Sequence, residues 1–382
     1  MAQKVLVLGR GASGRAAGSL LARQGFDCVT LDGSDALPEG EFVRAVVSPG
    51  IALSHPWQRE CRRRGIEVVS ELQLGCEELC RQGWKMLAVT GSKGKSSVVK
   101  IVAEAIASAG ASAVACGNYG RAVCDVALDG GEPGWAVVEV SSFQLETTSL
   151  AADTFEAAAI LNLQEDHLDR HGSVEVYHGL KRKLLSMAKK SIGQGVGEGG
   201  ELARGSYFDN EVLRPNALVA VALMRAAGLG DEAIGKAFAA FMPLPHRMNL
   251  VYEAQGVRYV DDSKATSLAA TAAARKMTEC NVRLIAGGLP KGDDPCSIVS
   301  DLTERVKKVY LIGRCADAFR EAWSGTVDCE ICGDLERAVA KARCEAQPGD
   351  TVLLSPGCAS YDQFENFGQR GDAFARLVKT QG

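Results

Sequence analysis

The 382-residue chain has no run of about 18 apolar residues, the length a membrane-spanning helix needs. No basic run exceeds Arg62-Arg63-Arg64. The first absence excludes a spanning helix, so no membrane partner is expected. The second, with a net charge of −4, argues against a nucleic-acid surface and leaves the three arginines as a solvated helix face. Thirteen cysteines are an odd number, and Cys329-x-x-Cys332 lacks a second pair at zinc spacing, so neither a disulfide framework nor a zinc site is expected. Reduced, mostly buried thiols fit better. No charged-then-apolar leader precedes the apolar segment 4–8, which leads us to expect a cytosolic protein. With 46% apolar residues over this length, the chain can build two or three domains.

Against those absences stands Thr90-Gly91-Ser92-Lys93-Gly94-Lys95-Ser96-Ser97, between an apolar strand over 86–89 and a helix over 96–109. Amides of such a glycine-rich turn point at phosphate oxygens, and the helix N-terminus adds positive potential. Lys95 can bridge terminal phosphates and Ser96 can ligate Mg²⁺, so ATP is the expected guest. Position 89 is Val where the standard motif begins with Gly, so the generic spacing is not met.

Punctuation divides the chain into blocks at 1–73, 74–242 and 243–382. In the first, Gly9-Arg10-Gly11-Ala12-Ser13-Gly14 follows a strand, and a second strand over 28–31 ends at Asp32, which satisfies a dinucleotide fingerprint. Taken alone it suggests a dehydrogenase, but a UDP group, or the chain itself passing close by, satisfies the same geometry. Ser48-Pro49-Gly50 marks another turn, after a strand over 45–47. The second block carries strands over 135–140 and 157–161, and a glycine-rich passage over 192–205 reads as a flexible loop. After Met242-Pro243-Leu244-Pro245, strands over 257–260, 283–286, 309–312 and 351–354 alternate with helical patterns, the mark of a parallel α/β sheet.

Chemistry concentrates where these strands end. Glu139 closes an apolar strand, where a carboxylate is costly to bury without a cation. Asn162-Leu-Gln-Glu-Asp-His167-Leu-Asp169-Arg170 places His167 among acids, where it can ligate metal or touch phosphate; His171 and His178 lack that setting and are expected at the surface. Asp261-Asp262-Ser263-Lys264-Ala265-Thr266, after His246-Arg247, can grip ribose and phosphate, and Lys291 and the turn from Ser355 to Phe364 supply further donors.

The ordered set TGSKGKSS, VEVSSFQLE, NLQEDHLDR, LPHRM, DDSKATS and LLSPGCASYDQF resembles the ATP-dependent Mur ligase family over all three blocks, and within it the branch that adds D-glutamate. The resemblance implies three α/β domains: a Rossmann-like N-terminal domain binding the UDP substrate, a central P-loop ATPase-type domain with a mostly parallel sheet, and a Rossmann-like C-terminal domain closing over ATP and binding the amino acid. It implies ATP and two Mg²⁺ as cofactors, UDP-N-acetylmuramoyl-L-alanine and D-glutamate as substrates, and a cytoplasmic monomer. Lys95 would hold the γ-phosphate within Gly91, Ser92, Lys93, Gly94, Ser96 and Ser97, with Ser96, Glu139 and His167 near metal. Lys181 matches a lysine that is carbamylated in the family to become a metal-site ligand. Asn118 would contact substrate or nucleotide, and Asn216, Arg247, Asp262 and Lys264 would contact nucleotide. Thr266, Lys291, Ser360 and Phe364 would surround D-glutamate, and Ala12, Ser13, Asp32 and Gly50 would hold UDP.

The chain departs from the family pattern in three places. Lys93 adds a cation to the phosphate loop, only Asn216 remains of an expected asparagine run, and the central block is short. A sister ligase for another amino acid and a paralogue that binds nucleotide without catalysis are therefore carried as alternatives.

Overall fold

The computed structural model describes residues 2–33, 35–193, 198–278, 281–303 and 305–380. Three sheets organise the chain. The first has β1 (Lys4–Leu8), β2 (Asp27–Leu31), β3 (Arg44–Val47) and β4 (Glu67–Ser70), all parallel in the order β2-β1-β3-β4. The second has β5 (Lys85–Thr90), β6 (Ala113–Gly117), β7 (Trp135–Glu139), β8 (Phe155–Ile160) and β9 (Ala188–Ile192), again all parallel, in the order β6-β7-β5-β8-β9. The third has β10 (Asn249–Ala254), β11 (Val257–Asp261), β12 (Asn281–Gly287), β13 (Val306–Ile312), β14 (Cys329–Gly333) and β15 (Asp350–Leu354). Its order is β10-β11-β15-β12-β13-β14, with only the β10–β11 pair antiparallel.

By compactness, Met1–Asp209 with Leu213–Phe241 forms one unit carrying the first two sheets, and Asn210–Val212 with Met242–Gly382 forms a second carrying the third. In the first unit, strands buried on both faces require continuous apolar runs, and Met86, Leu87, Ala88 and Val89 of β5 are fully buried accordingly. One hydrophobic core joins its two sheets, with Ala16 and Leu20 from the first α/β layer packing in the same cluster as Leu72, Val123 and Val138. In the second unit, separate clusters cover the two faces of the sheet, one around Leu284, Leu311 and Trp323, the other around Ile285, Tyr310 and Phe374.

Sequence patterning anticipates the continuous apolar strands. It misses β4, β6, β9, β10 and β14, which are edge strands or carry polar residues on their open side. Of the passage 192–205, residues 194–197 lie outside the described residues. The remainder is not simply loop, since Gly200–Ala203 forms a 3₁₀ turn that buries Ala203. The twelve described cysteines are all unpaired and seven are buried. Among the described residues, no helix is long and apolar enough to cross a membrane.

Candidate active site

The phosphate loop sits where β5 ends, in the middle of its sheet. Gly91 (φ 155°) and Gly94 (φ 85°) take backbone conformations that favour glycine, and a Cβ on Gly94 would collide with the Asn216 side-chain amide. Asn216 is buried on the helix Arg214–Ala226, so it supports the loop from beside Gly94. The helix Lys95–Ser108 starts directly after Gly94 and directs its N-terminus at the loop. Asn162 braces the turn with two hydrogen bonds: Lys93 N–H donates to its Oδ1 (2.8 Å), and its Nδ2 donates to Lys93 O (2.9 Å). The additional cation is not loose, because Lys93 Nζ lies 3.3 Å from Asp166 Oδ2. The charge of Lys93 holds the Asp166 carboxyl below its usual range even though burial opposes this.

Two lysines converge on one carbonyl. Lys95 Nζ donates to Gly91 O at 2.8 Å and to Ser92 O at 3.1 Å, and Lys181 Nζ donates to Gly91 O at 2.9 Å. Lys181 is only 1% exposed, with its Nζ 4.6 Å from the Tyr177 ring centroid. Burial, reinforced by the Lys95 charge, lowers its ammonium pKa from 10.5 to about 7. Tyr177, whose hydroxyl is 3.0 Å from Ser92 Oγ, completes this shell.

Glu139, at the end of β7, is 2% exposed. Asn118 Nδ2 donates to its Oε1 at 2.7 Å, while Oε2 is buried and has no hydrogen-bond partner. An unpartnered carboxylate oxygen beside a phosphate cradle fits a divalent cation. Among the described residues no three His, Cys, Asp or Glu side chains form a metal cage by themselves. His167, in a left-handed conformation (φ 54°), is exposed and caps the turn Leu168–His171. His171 and His178 depart from expectation. The His171 side chain is 1% exposed, with Nε2 3.0 Å from Ser142 Oγ and Nδ1 3.3 Å from Glu146, and burial lowers its pKa. His178 is half-buried, and its Nε2 is buried without a partner.

In the first sheet, the glycines have separate causes. A Cβ on Gly9 would meet Ser48 Oγ at 2.8 Å and one on Gly14 would strike Gly9 O, whereas one on Gly11 would meet nothing within 4 Å. Two of the three glycines therefore answer to chain packing, and only the space over Gly11 is open to a ligand. Ala12 and Ser13 open the helix that follows, Asp32 and Gly50 are exposed, and the Ser48 hydroxyl is buried without a partner.

The second unit gathers its own cluster. Lys291 Nζ lies 3.1 Å from Thr266 Oγ1, and Lys264 Nζ is 3.8 Å from the ring centroid of Phe367. Burial, then the nearby Arg247 and Lys291 charges, lower the pKa of Lys264, which marks the locus as attractive to anions. Asp262 is buried, accepting from Ser355 Oγ (2.9 Å) and Met248 N–H (3.3 Å), and burial raises its pKa to about 7. The neighbouring Asp261 holds His246 Nδ1 at 2.6 Å. Ser360 is buried, and its carbonyl accepts from the Phe364 N–H. Phe364 is half-buried and packs against the core cluster of Leu335, Phe374 and Val378, while Phe367, three residues on, is the aromatic beside Lys264. Its position at the start of the last helix, one turn before the buried Arg370, was the available signal.

A phosphate cradle on a parallel sheet, with a buried acid at the next strand end, defines a nucleotide-binding α/β enzyme class. Residues 89–194 match the Mur ligase middle domain, and residues 246–358 match the Mur ligase glutamate ligase domain. A UDP-N-acetylmuramoylalanine–D-glutamate ligase from Chlamydia caviae is 35% identical, across 98% of this chain and 97% of its own length. The Rubrobacter xylanophilus protein of the same name is 39% identical over 88% and 84% of the two chains. Among solved structures, the MurF ligase from Thermotoga maritima in complex with ADP shares the fold, with a TM-score of 0.61 at 13% identity over 100% and 96% of the chains. The chain belongs to the Mur ligase family.

Proposed function

We infer that this enzyme is an ATP-dependent ligase that joins D-glutamate to UDP-N-acetylmuramoyl-L-alanine in peptidoglycan precursor synthesis. The relatives that span nearly its whole length carry that activity in their names. The substrate's terminal carboxylate attacks the γ-phosphorus of ATP, and the bond to the β-phosphate oxygen breaks, releasing ADP and leaving an acyl phosphate. The D-glutamate amine then attacks the acyl carbon, loses a proton, and phosphate departs as the amide forms. A free carboxylate is a poor acyl donor, which is why the phosphate is spent first.

Residues 1–73 would bind the UDP substrate, with Ala12, Ser13, Asp32 and Gly50 as contacts. Residues 74–242 would bind ATP, and residues 243–382 would close over it and hold D-glutamate through Thr266, Lys291 and Ser360. Lys95 would steady the γ-phosphate, and Arg247 and Lys264 of the C-terminal domain would serve as nucleotide contacts. Mg²⁺, held by Ser96, Glu139 and His167, would supply charge neutralisation during phosphoryl transfer. Lys181, partly neutral near pH 7, is suited to attack CO₂ through its amine, lose a proton and become a carbamate, which would add an anionic ligand. The substrates are water-soluble, in keeping with a cytoplasmic monomer that needs no membrane or nucleic-acid partner.

The observation that carries this reading is the buried Glu139 with one oxygen unclaimed, at the strand end next to the loop on which Lys95 and Lys181 meet. The test is phosphate release from ATP with Mg²⁺, the UDP-muramoyl substrate and each candidate amino acid. Release that requires D-glutamate is expected. Release with another amino acid would indicate a sister ligase, and ATP binding without release would indicate a catalytically impaired paralogue.

A further inference from the structure

The guanidinium of Arg170 sits at a junction that the proposed chemistry leaves unused. Its Nε and Nη2 donate to the two oxygens of Glu146 at 3.0 and 2.6 Å, a bidentate pair that is largely buried, with 13% of the arginine and 4% of the glutamate side chain exposed. The same group reaches three successive carbonyls of the turn after β3: Pro49 O at 3.1 Å, Gly50 O at 3.2 Å and Ile51 O at 3.1 Å. Its face lies 4.8 Å from the Phe143 ring centroid. Glu146 also faces His171, which is in turn bonded to Ser142 at the start of the short helix that follows β7.

Three pieces of the first unit therefore meet at one planar cation. These are the short helix Ser142–Leu145 with its C-cap Glu146, the segment carrying His167 three residues before Arg170, and the turn carrying Gly50. Three carbonyls converging on a single guanidinium set the tilt of that turn, because each trans peptide points its N–H opposite to its carbonyl. Lysine could replace the charge but not the fork, since an ammonium has no planar array to span a carboxylate and a row of carbonyls together.

We propose that Arg170 is a positioning residue that fixes the Pro49–Ile51 turn relative to the His167 segment, so that a UDP-linked substrate seated on the turn presents its carboxylate to the phosphate loop at the correct reach. The inference rests on the proposed function. Small misplacements of a reacting group have large kinetic effects, so the consequence falls on the UDP substrate and on turnover rather than on ATP.

The experiment compares the full-length protein with Arg170→Lys and Glu146→Gln. Steady-state kinetics would be run for all three substrates, with calorimetric binding of the UDP-muramoyl substrate alone. The expected result for Arg170→Lys is a KM for the UDP substrate raised about tenfold or more with a reduced kcat, KM values for ATP and D-glutamate unchanged, and a parallel loss in the calorimetric affinity. Glu146→Gln, which keeps the packing and frees the arginine from its carboxylate, should show the same pattern more weakly and covers the case in which Arg170→Lys fails to fold. Unchanged UDP-substrate KM and kcat in both variants overturns the proposal, as does a uniform rise in all three KM values with a lower Tm, which would mark a purely structural role. A wild-type protein that fails to ligate D-glutamate would instead defeat the proposed function, while calorimetry still reports on Arg170.

Discussion

Replacing Lys181 with Met should stabilise the first unit while abolishing ligation. The lysine is 1% exposed, and burial brings its ammonium pKa from 10.5 to about 7. At about 1.4 kcal/mol per pH unit, that difference makes the charged lysine cost the folded state about 4–5 kcal/mol below pH 7. Methionine removes the cost and forfeits the hydrogen bond to Gly91 O, worth about 1 kcal/mol, for a net gain of about 3 kcal/mol at pH 6.5. Between pH 7 and 10.5 the unfolded chain holds a proton that the folded chain has released, so the stability of the wild type rises with pH across that window. The advantage of Lys181→Met should therefore shrink to about 1 kcal/mol by pH 9. Denaturant unfolding in CO₂-free buffer, followed by tryptophan fluorescence, measures this, since Trp57, Trp84 and Trp135 all lie in the first unit. A stability difference that stays flat from pH 6.5 to 9, or a methionine variant that is less stable at pH 6.5, would refute the reasoning.

Lys95→Ala and Glu139→Ala should each reduce ligation by about 10³-fold or more in the phosphate-release assay, because under the proposed function one would remove charge at the γ-phosphate and the other the buried unpartnered oxygen proposed to hold the metal. Gly94→Ala should destabilise the protein by about 2–4 kcal/mol in thermal unfolding and weaken ATP binding, since it combines a left-handed backbone with a collision against Asn216. Adding Asn216→Ala should restore only the collision part, and full recovery would count against backbone strain. Phe364→Ala should cost about 2–3 kcal/mol of stability with kcat nearly intact, as expected of a half-buried ring packed against the core. Phe367→Ala should instead alter KM and kcat through Lys264, and the opposite assignment of effects would favour Phe364 as the substrate contact.

Strands buried on both faces were legible because continuous burial demands continuous apolar sequence, as in β5 and β12. The phosphate loop was legible because its glycines, lysine and serine are adjacent in the chain, so local geometry alone imposes the spacing. Edge strands such as β10, with alternating exposure and a polar outer face, carried no comparable signal. Histidines misled for a related reason. Nothing near His171 in sequence announces Glu146 and Ser142, which lie on another element and bury it.

The sequence by itself determined the chemistry that neighbouring residues can perform: a loop that binds phosphate, an acid closing a strand, and an acid-rich run holding a histidine. Tertiary structure alone decided the state of those groups. It joined Lys95 and Lys181 on one carbonyl, removed enough water from Lys181 to leave it partly neutral, left one Glu139 oxygen without a partner, and set Phe367 beside Lys264. The physical reason is that desolvation and charge proximity depend on distances between segments far apart in the chain, and no local pattern encodes those distances.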